Sequence, residues 1–238
     1  MKPPAKKTGG FSCFLPVLVW YYFSMRTCLA ILFVAVSAVG ADLETWFPRE
    51  SVVRHRRFAV AFDSARHCPR WVCWRIAPAS NAVSRAGMRF RLDPLVVGSP
   101  SASAYSGTAY DRGHMCPADD MAADTDSMAE TFLTSNCAPQ DSSLNRGDWR
   151  ELEAQLHGEA ACSPVVCICG PIWLPGGRAD RLGSIGVAVP DAFFKVAYGG
   201  TSAVSRAWFF PNKPGNRKPA DYAVPVEAVE RVTGLDFP

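Results

Sequence analysis

Two short segments of the chain combine the residue types that metal-assisted hydrolysis of a phosphodiester requires. The first is Asp111-Arg112-Gly113-His114, and the second carries Asn145 and Glu153. A neutral histidine can activate water, and the planar fork of an arginine matches phosphate oxygens. Amide and carboxylate oxygens are hard ligands of the kind that Mg²⁺ accepts. Together these residue types predict a metal-assisted hydrolysis of phosphodiester bonds.

The second segment has the spacing of one helical face. A helix from about Asn145 to Leu156 would place Asn145, Trp149 and Glu153 on one side, with Asn145 near the helix cap. So few protein ligands would leave most of a coordination sphere to water and phosphate, which suits Mg²⁺ better than Zn²⁺. A structural interpretation stays open, in which Asn145 is an N-cap, Trp149 a core residue, Glu153 a solvated charge and His114 a structural histidine.

The surrounding sequence predicts a sheet with few helices. Apolar runs of strand length, bounded by turn residues, occur at 58–62, 71–76, 88–92, 165–169, 187–189, 193–197 and 207–210. The first two are joined by a turn that contains His67 and Pro69, which indicates an antiparallel hairpin. Helical stretches are predicted around Ser127 to Phe132 and at Val226 to Arg231. Because strands and helices do not alternate regularly, the pattern indicates an α+β fold with a mostly antiparallel sheet.

Composition favours one globular domain without a strongly basic surface. The chain has 238 residues, of which 48% are apolar and 20% charged, which is enough to bury a core as a single unit. Four of the 25 basic residues precede Asp42, and none of the 22 acidic residues does. The remainder is therefore close to neutral, and affinity for nucleic acid has to come from local groups rather than from net charge.

The first 41 residues resemble a targeting leader. Apolar side chains dominate residues 11–41, and Arg26 divides them into two pieces. The second piece follows Met25 and ends in small residues at Ala41, so we expect translation to begin at Met25 and cleavage to occur near Ala41. The alternative is an uncleaved membrane anchor that uses both pieces. Either arrangement predicts an exported domain over residues 42–238, periplasmic or extracellular if released, and contact with a membrane only if the leader is retained.

Seven cysteines follow the leader, a number that fits an oxidising compartment but leaves at least one of them unpaired. Cys68 and Cys73 could close a small loop. Cys162, Cys167 and Cys169 with His157 match no common zinc spacing, so buried thiols or disulfides are the favoured interpretation.

Three motifs occur in a fixed order in the middle of the chain. They are Asp111-Arg112-Gly113-His114-Met115-Cys116-Pro117-Ala118, then Glu130-Thr131-Phe132-Leu133-Thr134-Ser135-Asn136-Cys137-Ala138-Pro139-Gln140, then Asn145-Arg146-Gly147 with Trp149, Leu152 and Glu153. In this order they resemble the DNA/RNA non-specific endonuclease family, the ββα-metal nucleases that include endonuclease G. The resemblance covers roughly residues 55–238 and leaves the leader outside.

The resemblance implies both a fold and a set of catalytic residues. The fold would be that of a ββα-metal nuclease, with helices flanking a mostly antiparallel central sheet. His114 would be the general base, Asn145 the direct ligand of Mg²⁺, with Mn²⁺ as an alternative ion, and Glu153 a helper that contacts the metal or its waters.

Substrate contacts are implied in the same way. Arg112 would stabilise phosphate charge, Asn136 matches a polar position near the site, and Arg85 resembles an upstream phosphate-binding arginine. Asp111 would brace the loop. The chain departs from the pattern at His157, where many members carry an arginine, and this change could make phosphate binding weaker or dependent on pH.

The sequence thus predicts an exported, Mg²⁺-dependent endonuclease that cuts DNA and RNA with little sequence preference. Two alternatives stay open: a catalytically silent protein that binds nucleic acid on the same fold, and a structural envelope protein held by disulfides. The DNA and RNA substrates would be held through their backbones, because no zinc finger, basic helix or RNA-binding aromatic motif is visible.

Overall fold

A seven-stranded antiparallel sheet forms the centre of the protein. The structure, a computed structural model, describes residues 51–76, 81–202 and 204–237. The strands of this sheet, in spatial order, are β1 (Val52–Arg54), β2 (Phe58–Asp63), β3 (Cys68–Arg75), β6 (Val165–Ile172), β9 (Ala192–Gly199), β10 (Arg206–Pro211) and β11 (Ala223–Val224). Every neighbouring pair is antiparallel, which confirms the predicted α+β fold with an antiparallel sheet.

A smaller unit of two strands and a helix packs against this sheet. Strands β4 (Tyr110–His114) and β5 (Cys137–Asp141) form an antiparallel pair, and helix α1 (Thr125–Thr131) lies in the connection between them. Two helices follow β5 directly, α2 (Ser142–Arg146) and α3 (Asp148–Ala160). This is the strand–strand–helix order that the resemblance implies.

Alternation along the strands divides the core into two layers. In β3, Val72 and Trp74 belong to the layer that also contains residues of α3 and of the β4–β5 unit. Trp71 and Cys73 belong to the other layer, which is covered by the last helix, α4 (Val226–Thr233). The central sheet is therefore flanked by helices on both faces. A short pair, β7 (Arg181–Leu182) with β8 (Val187–Ala188), lies outside the main sheet.

Two local predictions are wrong. The strand expected at 88–92 is reduced to an isolated bridge between Arg91 and Leu133. The single helix expected from Asn145 to Leu156 is broken at Gly147, whose φ of −109° and ψ of −108° are not helical. Asn145 is consequently not a helix cap, because Asp141 caps α2 through the backbone N–H groups of the following turn.

All seven described cysteines are free thiols, and only Cys162 among them is exposed. Cys68 and Cys73 cannot pair because they lie in one extended strand, roughly 16 Å apart at about 3.3 Å per residue, with side chains in different core layers.

The predicted leader lies outside the described residues. Within those that are described, no helix is both long and apolar enough to cross a membrane.

Candidate active site

The β4–β5 pair fixes the position of His114 at one end of a short ladder. His114 is paired with Cys137 at the end of the ladder, and Asp111 with Gln140 near its start. Gly113 is required between them, because a Cβ atom at this position would overlap the side chain of Gln140. The Gly of the Asp-Arg-Gly-His motif therefore permits the close packing that seats His114.

His114 lies in an apolar aromatic environment. Its ring centroid is 5.0 Å from that of Phe90 and 5.1 Å from that of Phe132, which it meets edge to face. Nε2 is buried and has no hydrogen-bond partner among the described residues. Burial, followed by the positive charge of Arg85, lowers the pKa of His114 to about 4. The imidazole is therefore neutral at pH 7, as a general base must be.

Asn145 is oriented by Asp111 across the β4–α2 contact. Asn145 Nδ2 donates to Asp111 Oδ2 at 2.9 Å, and Arg146 donates to both carboxylate oxygens at 2.8 and 2.6 Å. Although burial opposes it, these hydrogen bonds from Arg146 and Asn145 lower the pKa of Asp111. An ionised carboxylate only accepts hydrogen bonds, so the amide nitrogen must face Asp111 and Oδ1 is left available for a cation.

Two donor atoms of the Arg112 side chain form hydrogen bonds within the protein. Its Nε and Nη2 atoms donate to the carbonyl oxygen of Ala102 at 3.0 and 2.7 Å. The guanidinium also lies over the rings of Phe90 and Tyr105, at 5.5 and 5.7 Å from their centroids. Phe90 thus contacts both Arg112 and His114, which brings the two predicted catalytic side chains to one aromatic cluster.

Asn136 lies beneath the site and is fully buried. Its Oδ1 accepts from the backbone N–H of Cys116, and its Nδ2 donates to the carbonyl oxygens of Cys116 and Thr131, all at 2.9 Å. The amide therefore ties the segment after β4 to the end of α1. The structure gives Asn136 a bracing position, and its hydrogen-bonding groups are occupied within the protein.

Glu153 lies on α3 and is held by a buried lysine. Lys195 Nζ, on β9, is 3.0 Å from Glu153 Oε1, and the lysine side chain is only 1% exposed. The ammonium lies 4.1 Å from the ring centroid of Trp149 and 5.4 Å from that of Trp74. Burial raises the pKa of Glu153 to about 7, while the charge of Lys195 acts to lower it.

A cleft of about 560 Å³ brings together predicted residues that are distant in sequence. Arg85 lines one part of it, and Glu153 and His157 of α3 line another, together with Asp120 and Arg150. Arg85 also lies over the ring of Phe132, 5.7 Å from its centroid, and so connects the cleft to the aromatic cluster around His114. Arg85, predicted as an upstream phosphate-binding arginine, therefore lies at the site.

His157 is held in the cleft by an acidic partner. Its Nδ1 is 2.8 Å from Asp120 Oδ1, and the other carboxylate oxygen of Asp120 accepts from Trp74 Nε1, also at 2.8 Å. The hydrogen bond with Asp120 raises the pKa of His157, although partial burial opposes this effect. At the position where many family members carry arginine, the chain thus holds a histidine with an increased tendency to be cationic.

Three contributors were not identified from the sequence. Lys195 was visible as a lone charge within the apolar run Phe193 to Ala197, which signals a buried partner without naming it. Asp120 and Phe90 gave no signal, because their roles depend on contacts with residues far along the chain.

The residues present suit a divalent ion with few protein ligands. Within the described part of the chain, no group of three or more His, Cys, Asp or Glu side chains could form a complete protein cage for a metal ion. Asn145 Oδ1 is fixed by the bond from its nitrogen to Asp111, and it offers one hard oxygen ligand. Water and substrate would then complete the coordination, as is common for Mg²⁺.

Comparisons with known proteins agree with this arrangement. Residues 46–238 match the family described as DNA/RNA non-specific endonuclease. The human mitochondrial nuclease EXOG is 31% identical over 202 residues, which cover 75% of this chain and 54% of the human protein. The mitochondrial nuclease of Saccharomyces cerevisiae is 30% identical over 219 residues, covering 80% of this chain and 66% of the yeast protein.

A solved structure extends the similarity to three dimensions. A chain in the crystal structure of the EndoG/EndoGI complex superposes with a TM-score of 0.74 at 26% identity, covering 84% of this chain and 92% of that one. The chain spans about half the length of the EXOG relatives it matches. From the family match and the ββα arrangement of its site, the chain belongs to the DNA/RNA non-specific endonuclease family.

Proposed function

We propose that the protein is a metal-dependent endonuclease that hydrolyses phosphodiester bonds in DNA and RNA. The observation that carries this proposal is the state of His114, a neutral imidazole whose Nε2 has no protein partner in the described structure. A structural histidine would normally satisfy both ring nitrogens when buried. An unpartnered histidine nitrogen on the same strand as Asp111, which orients the proposed metal ligand Asn145, supports the role of a general base.

Each residue of the site then has a separate task. His114 accepts the proton of the attacking water, because its low pKa keeps the imidazole neutral and one ring nitrogen unprotonated at neutral pH. Arg85 and the part of Arg112 that is not bonded to Ala102 offer guanidinium groups to the phosphate oxygens. Asp111 orients Asn145, and Lys195 orients Glu153.

Mg²⁺ is the ion that this donor set favours, with Mn²⁺ as an alternative. Asn145 would hold it directly, with Glu153 near the metal or its waters. When bound, the ion stabilises charge on the phosphate and on the leaving oxygen. The absence of visible base-reading motifs supports recognition through the backbone, so both DNA and RNA are proposed as substrates.

Cleavage of supercoiled plasmid and of RNA by the purified full-length protein tests the proposal. We expect shortening of both substrates with Mg²⁺, none with EDTA, and strongly reduced cleavage by the Asn145→Ala protein. A folded wild-type protein that shifts plasmid bands with Mg²⁺ but never shortens them would replace the proposal with the binding-only alternative. Cleavage that continues undiminished in EDTA would exclude the metal-dependent mechanism.

We also propose that residues 1–41 export the nuclease domain. The support is the apolar segment Leu29 to Val39, followed by small residues up to Ala41. N-terminal sequencing of the protein recovered from its native cells tests this proposal. A start near residue 42 indicates cleavage and release, whereas an intact leader in the membrane fraction indicates an anchor.

A further inference from the structure

Four arginines gather at one end of the central sheet. Arg54 ends β1, Arg56 and Arg57 form the turn into β2, and Arg75 ends β3. With His55, Phe58 and Ala59 they line a groove of about 310 Å³, which we call the arginine groove. No acidic residue is among the described residues that line it. The groove is therefore a concave surface with a concentrated positive charge.

Local structure does not explain why arginines occupy the turn. The backbone N–H of His55 donates to the carbonyl oxygen of Phe58 at 2.9 Å, which closes a tight turn with Arg56 and Arg57 at its centre. Tight turns favour Gly, Pro, Asn, Asp and Ser, each for a conformational reason that arginine does not share. The choice of two arginines must therefore come from what their side chains contact.

Arg56 has a structural role, because its side chain pairs with two carboxylates of α1. Its guanidinium lies 3.0 Å from Asp126 and 3.5 Å from Glu130, and its backbone N–H donates to Glu130. Arg57 differs, since its only described carboxylate is Asp124 at 3.9 Å, with both side chains well exposed. A pair of this kind contributes little.

Arg57 and Arg75 lie opposite each other at the end of the β2–β3 ladder. The β2–β3 register pairs Phe58 with Trp74, so its continuation by one residue brings Arg57 opposite Arg75. The structure shows no carboxylate paired with Arg75 in the part of the chain it describes, and its side chain is exposed. Like charges placed directly opposite on neighbouring strands are unfavourable. An anion between the two guanidinium groups would remove this repulsion.

The arginine groove lies close to the candidate active-site cleft. Trp74, the residue before Arg75, donates from Nε1 to Asp120, and Asp120 lines the cleft. Consecutive residues of a strand project to opposite sides, so the cleft and the groove open on the two sides of the end of β3.

We propose that the arginine groove binds backbone phosphates of the substrate strand where it leaves the active-site cleft. The inference rests on the proposed nuclease function and extends it by a second, remote phosphate site. Planar guanidinium groups match phosphate oxygens in a bidentate manner, and Arg57 and Arg75 present two of them along one concave surface. The groove thereby favours long substrates over short ones and contributes no base specificity.

The test compares a double variant with a matched control on single-stranded oligonucleotides of two lengths. The variant is Arg57→Ala with Arg75→Ala. The control is Lys218→Ala with Arg231→Ala, which removes the same charge near the opposite edge of the sheet, where Lys218 precedes β11 and Arg231 lies on α4. Thermal unfolding of all proteins confirms that each is folded.

We expect the groove variant to raise KM for a 20-nucleotide substrate about tenfold without changing kcat, a binding loss of about 1.4 kcal/mol at room temperature. KM for a dinucleotide substrate, whose single internal phosphate cannot occupy both sites, should not change. The dependence of log K on log salt for the long substrate should become shallower by about 1.4, the value for two phosphate contacts on a single strand. The control should leave all three quantities as in the wild type.

Other outcomes overturn the inference. Equal losses on long and short substrates, or equal losses in groove variant and control, would show a general charge effect. Binding of wild-type protein to vesicles with 30% anionic lipid that only the groove variant loses, with oligonucleotide binding intact, would assign the groove to a membrane surface. If the wild type cleaves nothing, fluorescence anisotropy with the 20-nucleotide strand in EDTA still measures the groove, so failure of the two proposals can be distinguished.

Discussion

Two histidines of the candidate active site have opposite surroundings. His114 lies between aromatic rings without a polar partner for Nε2, and its pKa is lowered to about 4. His157 is 35% exposed and bound to the buried carboxylate of Asp120, which raises its pKa. The same side chain is therefore kept neutral in one region and favoured as a cation in the other. These surroundings support the two proposed roles, a base for His114 and a phosphate contact for His157.

The two regions also respond to pH in opposite directions. The lowered pKa of His114 gives stability that is present above about 6.5 and is lost as pH falls toward about 4. The raised pKa of His157 gives stability that is complete below 6.5 and is lost as pH rises through the folded-state value. This difference in sign allows each histidine to be followed separately in the same protein.

Loss of the proposed base should have the largest effect on cleavage. For His114→Ala we expect cleavage to fall by about 10² to 10⁴-fold, because a general base contributes on that order. The measurement is the initial rate of plasmid cleavage with Mg²⁺ at pH 7. The His157→Ala protein serves as the control, since it alters a cationic group and leaves the base in place. Equal rates for wild type and His114→Ala would refute the assignment of the base.

Lys195→Met tests the buried ion pair that holds Glu153. The substitution keeps the length of the side chain but leaves Glu153 without its partner. We expect the free energy of unfolding at pH 8 to fall by about 3–5 kcal/mol, the usual cost of breaking a buried pair from one side. The loss should be smaller at pH 5, where Glu153, with its pKa near 7, takes up a proton instead. Urea denaturation at the two pH values measures both quantities.

The double variant Lys195→Met with Glu153→Gln is the control for this effect. A neutral amide does not require the lysine, so stability should recover relative to Lys195→Met alone. A double variant that is less stable by the sum of two independent losses would show that the lysine acts through packing on Trp149 and Trp74 rather than through Glu153.

Asp111→Ala tests the carboxylate that orients the proposed metal ligand Asn145. Without the carboxylate, Asn145 loses the bond that turns its oxygen toward the cation, and we expect a 10–100-fold increase in the Mg²⁺ concentration for half-maximal cleavage. Arg146→Ala is the matched control, because it removes the other partner of Asp111 while the bond to Asn145 remains. The Arg146 side chain is 71% exposed, so its loss should change the Mg²⁺ concentration for half-maximal cleavage only a few-fold. An identical Mg²⁺ dependence of cleavage in both variants would contradict the role given to Asp111.

Much of this site could be predicted from sequence because its signals are local. The Asp-Arg-Gly-His segment and the position of Asn145 and Glu153 depend on motifs that are short and ordered. The strands of the central sheet were visible because their residues are buried on both faces, which produces continuous apolar runs such as Val165 to Cys169.

The remainder depended on contacts between distant segments. Strands β4 and β5 carry polar residues, a glycine and a proline, so neither showed the alternation of a strand. The break at Gly147 was hidden because the helical spacing of Asn145 and Trp149 continues across it, although Gly within a helical run is a warning. Asp120, whose hydrogen bond raises the pKa of His157, became recognisable only after folding brought it to α3.

His157→Arg tests whether the charge of His157 affects substrate binding, and it has the smallest expected effect of these substitutions. In the wild type, the cleft loses a positive charge as pH rises through the raised pKa of His157, while Arg85 and Arg150 keep theirs. We expect KM for an oligonucleotide to increase several-fold, at most about tenfold or 1.4 kcal/mol, between pH 6 and pH 8.5. The His157→Arg protein should keep the low KM at both pH values. The His157→Gln protein should show the high KM at both. A wild-type KM that does not change with pH, or an arginine variant that follows the wild type, would show that His157 does not contact the phosphate and that Asp120 holds it for structural reasons alone.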